Sequence, residues 1–396
     1  MGGTMRTYAS GAGLVLSLTL VACQASAPAA EEPATRATMG QIADALSRAL
    51  PLSLETRQLE DPAARARYGA SLEVLADSAA NLERHGRSRE ASFAYLSRSL
   101  ADDAQMARRR LEDGLDAESQ FVVRQLVQDC VACHSRLPDL DDSALGARLL
   151  TQLDPDELPL HERVRVQAAT RQFDAALDGY EELFRDPEVS PAQLDLEGRL
   201  LEYLTISIRV KQDLRRPRWS LERMAQRPDV PDYLTEDLAV WYTTLDDLAE
   251  RPRIGDDGAS ARALVQDSHL EDTPAYDRRG YIHALVASSL LHQHLNTATL
   301  NSDELAEAYY LLGLTETRAS RSLWLSEADV YLETSIRSSP GSTHAARAYE
   351  LLEQETLAGY TGSAGLQLPE DVEGRLAELR ALIDAASVTP PASDRP

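Results

Sequence analysis

Cysteine is almost absent from this chain of 396 residues; Cys23, Cys130 and Cys133 are the only three. So few thiols exclude a disulfide-stapled scaffold. Lysine is scarcer still, with Lys211 alone, so arginine supplies nearly all the positive charge. Acidic residues number 64 against 40 basic ones, and the formal net charge of −24 excludes nucleic acid as a partner, because binding phosphate needs a basic face. Alternating β-branched runs joined by tight turns are missing, which excludes a substantial sheet. No apolar run beyond the N-terminus approaches the about 20 residues that a membrane helix requires. A nucleophile elbow, a phosphate loop and a dinucleotide fingerprint are all missing as well, so an enzyme is not expected.

What is present begins at the N-terminus. Arg6 precedes an apolar stretch from Leu14 to Ala22, followed by a small-residue, polar stretch. That is the layout of a secretory signal, read here as residues 1–22. Its end, Leu20-Val21-Ala22-Cys23, resembles a bacterial lipobox, which implies lipidation of Cys23 and an exported protein held to a membrane by lipid alone. Gln24 in place of aspartate favours the outer membrane, facing the periplasm. Residues 23–35, rich in Ala and Pro, read as a flexible tether.

Beyond the tether, apolar residues recur at three- and four-residue spacings almost throughout, so the fold class is all-α. Helices are expected over about 36–50, stopped by Pro51, and over 62–84, 88–112 and 117–136, the last stopped by Pro138. Four helices with short links predict an up-down four-helix bundle over 36–140. A polar linker over 141–154 then leads to a second helical region over 155–386, and 387–396 read as a disordered tail. Within the second region, "HERVRVQAATRQFDAALDGYEELFRDP" and "AEAYYLLGLTETRASRSLWLSEADVYLETSIRSSP" resemble tetratricopeptide repeats. Ala176, Tyr180, Pro187, Leu312, Gly313, Ala328 and Pro340 stand near the repeat's small, aromatic and terminating positions. The resemblance implies helix pairs that bury their apolar faces only by stacking.

The densest chemistry lies in "QDCVACHSR". A structural zinc site would need a second Cys/His pair, and none is present. A thioredoxin-type pair would open a helix after a strand, whereas Cys130 and Cys133 lie near a helix end. The third reading is attachment of a c-type haem: two thiols add to the porphyrin and the adjacent histidine ligates iron. A spacing of three puts both sulfurs on one helical face, with His134 directed toward the ring. One covalent haem is therefore expected, held by Cys130 and Cys133, with His134 as axial ligand. His283, His292 and His294 do not share a face of their helix and are read as structural or surface residues.

Placed on the fourth helix, the pentad resembles that of the class II cytochromes c, the cytochrome c-prime and c-556-like family. The resemblance covers about residues 33–140 and implies a four-helix haem bundle. In low-spin members a methionine on the first helix completes the coordination, and "TRATMGQIADAL" places Met39 there. Counting at about 1.5 Å per residue puts Met39 and His134 at one level of the bundle. His85, in the loop between the second and third helices, is the runner-up ligand, and an open five-coordinate iron is the third possibility. Met106 should lie about 15 Å lower and belong to the core. Ser135-Arg136-Leu137-Pro138 after the pentad departs from the aromatic-basic pair common in the family.

The function expected is electron transfer by an exported, lipid-anchored mono-haem cytochrome. Its repeat region would dock a redox partner with a basic face, or a larger membrane-associated complex, since the body is acidic. The alternatives are a five-coordinate gas sensor and an assembly scaffold in which haem is a structural staple.

Overall fold

The computed structural model describes residues 31–87, 90–138, 143–153, 158–251, 256–274, 277–319, 327–363 and 365–388. Among the described residues it is all-α, with 17 helices and 81% of residues helical. Cys23 and the proposed signal lie outside the described residues.

Four long helices come first: α1 (Glu31–Leu54), α2 (Pro62–Gly86), α3 (Ala91–Glu112) and α4 (Asp116–His134). Each packs on the next, and α4 returns to α1. Asp61 starts α2 by accepting from the Ala63 and Ala64 amides at 3.1 Å, with Pro62 in the first turn; there the missing proline N–H costs nothing. Glu90 caps α3 in the same way, through the Ser92 and Phe93 amides. Gly114, at φ 77°, makes the left-handed turn into α4. Tyr68, Leu72, Leu75, Val123 and Leu126 fill the interior.

The boundaries differ from expectation in instructive ways. α1 starts at Glu31, so part of the expected tether is helical and Met39 lies in the third turn. It also continues through Pro51 to Leu54. A proline in the helix interior weakens the ladder by leaving the carbonyl four residues back without its helical donor, but beyond it the fourth helix satisfies carbonyls at the end of α1: Gln120 Nε2 donates to the Leu52 and Glu55 carbonyls at 2.8 and 3.1 Å. The expected linker over 141–154 contains a helix, α5 (Ala144–Leu153).

The chain continues through α6 (Leu160–Ala169), α7 (Phe173–Arg185), α8 (Pro191–Leu196), α9 (Arg199–Thr205), a π-helical turn (Ile206–Val210), α10 (Arg215–Ala225), α11 (Asp232–Glu250), α12 (Asp257–Asp267), α13 (Tyr281–Thr297), α14 (Ser302–Ala319), α15 (Ala328–Ser338), α16 (Thr343–Gly359) and α17 (Glu370–Val388). Helices adjacent in sequence pack as pairs: α6 on α7, α10 on α11, and α12 through α16 in series. Glycine allows the close approaches. A Cβ at Gly179 would overlap Val164 across the α6–α7 pair, and one at Gly313 would overlap Leu332 across α14–α15. A two-residue antiparallel pairing, Thr361–Gly362 with Gly365–Leu366, is the one sheet among the described residues.

The later helices reach back to the first four. α5 packs on α1, α6 on α4, and α15 on α3.

Candidate functional site

The last turns of α4 and most of the length of α1 line a cavity of about 710 Å³, within the usual range for small-molecule sites. Met39, Ile42, Leu46 and Leu50 recur at helical spacing along α1 and face it. Val127, Cys130 and His134 do the same on α4. The opposite wall comes from helices the sequence did not implicate: Leu145, Gly146 and Leu149 of α5, with Val166 and Ala169 of α6. The polar residues Thr35, Arg36, Ser143, Thr170 and Arg171 complete the lining.

His134 is held from across this cavity. Its Nδ1 donates to the Ala169 carbonyl oxygen at 2.7 Å. A carbonyl only accepts, so Nδ1 carries the proton and, in the neutral ring, Nε2 carries the lone pair. The bond thereby selects the tautomer that a metal-ligating histidine needs.

Neither cysteine is in a disulfide. Burial, then the negative charge of Asp129 and the second thiol, push the Cys130 thiol up to about 12. Burial raises Cys133 too, although Arg136 opposes it. Dithiol catalysts need a lowered thiol pKa, and these thiols are moved the other way. Asp129 is itself a buried carboxyl, pushed up to about 8 by burial and then by Asp103.

The structure thus brings Met39, Cys130 and His134 to one cavity. Cys133, on the same helix, is half-buried beside Arg136 and outside the cavity lining. His85 is exposed near the end of α2, donates from Nδ1 to the Asn81 carbonyl at 2.8 Å, and does not line the cavity. A carbonyl partner fixes that nitrogen as the donor. Met106 packs against the core of the first four helices.

Two residues past His134, Arg136 enters a different environment. It pairs with Glu90 at the start of α3 and, at 3.8 Å, with Glu327 at the start of α15. Burial pushes Glu327 up to about 7 against the pull of Arg136. Deeper, Arg209 on the π-helical turn donates to Glu316 at 2.8 Å and to Ser288 at 2.7 Å. Burial resists ionisation of Glu316, but Arg209 and His292 bring it down to about 2. His292 lies 3.6 Å from Glu316 and is pushed down to about 4, chiefly by burial. Among the described residues no group of three or more His, Cys, Asp or Glu gathers as a metal site.

The sequence reading missed Ala169, α5, Asp129 and the Arg136 cluster. Asp129 had left a signal: it stands three residues after Leu126, on the buried stripe of α4, where a carboxylate is out of place. Ala169 had left none, because its contribution is a backbone carbonyl.

No protein-family model matches this chain, and no curated protein and no solved structure matches it.

Proposed function

We propose that the protein is a lipid-anchored, exported mono-haem c-type cytochrome that carries electrons rather than catalysing a reaction. The observation that supports this best is that Met39, remote in sequence from Cys130 and His134, lines one apolar cavity with them, while Cys130, Cys133 and His134 form the Cys-x-x-Cys-His pentad. The residues fit the group. A thioether, a thiol and an imidazole of the right tautomer line the space, and its long walls are aliphatic. Cys133 is the one member that does not line the cavity.

On this reading Cys130 and Cys133 would hold the cofactor covalently, and the His134 nitrogen and the Met39 sulfur would ligate its iron. The bound iron would supply a reversible one-electron step, and methionine ligation raises its potential. The aliphatic walls from α1, α4, α5 and α6 exclude water, which also governs potential. The first four helices read as a class II cytochrome bundle. The paired helices from α6 onward read as a tetratricopeptide-like scaffold that presents an acidic surface to a basic redox partner. Cys23 would carry the lipid, with the body in the periplasm at the outer membrane.

Visible spectra test this reading. Reduced protein should show sharp low-spin bands that carbon monoxide leaves unchanged, and Met39→Ala should convert it to a form that binds carbon monoxide. A shift of the wild-type spectrum on adding carbon monoxide at neutral pH would favour the open-iron sensor instead.

A further inference from the structure

The wall opposite the pentad belongs to the later helices, and its geometry is unusually constrained. α6 ends at Ala169 with Thr170 as its cap, and Arg171 follows at φ 60°, a left-handed backbone that a non-glycine residue rarely adopts. Several contacts hold this turn in place. The Ser143 amide donates to the Arg171 carbonyl at 3.3 Å, and Gln172 Nε2 donates to the Ser143 carbonyl at 2.8 Å. The Gln172 amide closes on the Gln167 carbonyl at 2.8 Å. Gly146 of α5 lies so close that a Cβ there would overlap the Thr170 carbonyl oxygen. Ser143 and Gly146 thus lock the turn from which the Ala169 carbonyl reaches His134.

Resting on the haem reading, we propose that the α5–α6 element is a positioning device for the axial histidine: through the Ala169 carbonyl it fixes the orientation and basicity of His134, so that the later helices help set the reduction potential. A ring nitrogen donating to a carbonyl gives the opposite nitrogen more anionic character. That favours the oxidised, more positive iron and lowers the potential. Weakening the bond should raise the potential without detaching the cofactor, because the covalent links depend on Cys130 and Cys133. Ala169 and Gly146 are positioning residues, not ligands.

The experiment uses the full-length protein matured with its cofactor, in four forms: wild type, Gly146→Ala, Gln172→Leu, and the control Gly374→Ala, where an added Cβ meets nothing within 4 Å. Potentials are measured by redox titration, and exchange of the His134 Nδ1 proton is followed by NMR on histidine-labelled protein. Gly146→Ala should raise the potential and speed the exchange at least tenfold, with Gln172→Leu moving both in the same direction by less. The control should match wild type. If Gly146→Ala does not fold, Gln172→Leu decides alone. Coloured variants whose potential is unchanged or lowered, with His134 still protected, would overturn the inference and leave the haem reading intact. Colourless wild-type protein would overturn both.

Discussion

The first four helices meet the later ones in two places, and the two junctions have opposite chemistry. At one, α1 and α4 face α5 and α6 across an apolar space lined by Met39, Cys130 and His134. At the other, α3 and the turn after α4 meet α15 through closely packed charges: Arg136 with Glu90 and Glu327, backed by Arg209, Glu316 and His292. Two residues of chain, Ser135 and Arg136, carry the backbone from the first environment to the second. An apolar junction that leaves about 710 Å³ open has room for a ligand. A junction of paired buried charges has little tolerance for misfit, because each charge depends on its partner for the solvation it has lost. On the proposed reading the first junction would hold the cofactor, and the second fixes how the two parts sit around the cavity.

The comparison can be broken at either side. The largest effect is expected at the apolar junction: changing both Cys130 and Cys133 to serine should abolish covalently bound chromophore, read on a haem-stained denaturing gel, while far-ultraviolet circular dichroism stays helical. At the charged junction, Arg136→Ala leaves Glu90 and Glu327 without their common partner and should cost about 3–5 kcal/mol in urea unfolding. Replacing all three by apolar residues of similar volume should recover most of that loss, whereas a triple variant as weak as the single one would show that the charges do more than compensate each other.

Another effect concerns Asp129, next to Cys130 on α4. Its carboxyl is raised from an ordinary value of 3.8 to about 8. Between those values the folded chain keeps a proton that the unfolded chain has released, so this group makes stability fall as pH rises through the window. Asp129→Asn should gain stability over wild type progressively from about pH 4 to about pH 8, with the difference levelling off above. A difference that does not vary with pH would contradict the buried assignment. The smallest effect is expected at His85, which is exposed and outside the cavity lining. His85→Ala should leave the visible spectrum as in wild type, and a changed spectrum would return His85 to the coordination sphere.

Much of this was legible in the sequence. The helices announced themselves by their apolar period, and counting residues along them placed Met39 at the level of His134; both line the same cavity. What sequence could not supply came from contacts between distant segments. Pro51 reads locally as a stop, but Gln120 of α4 satisfies carbonyls beyond it and the helix continues to Leu54. The stretch over 141–154 reads as a linker because it is short and flanked by polar residues, yet α5 finds an apolar partner in α1. Arg136 carries no local sign of an ion pair until the fold brings Glu327 to it. The Ala169 carbonyl has no side-chain signature at all.

The central claim is covalent iron-porphyrin at Cys130 and Cys133 with His134 on the metal, and the most direct measurement is an alkaline pyridine spectrum taken before and after extraction with acidified acetone. We predict one haem per chain of purified, correctly exported protein, with the colour remaining on the polypeptide after extraction. Colourless protein, or pigment released into the solvent, would contradict the account.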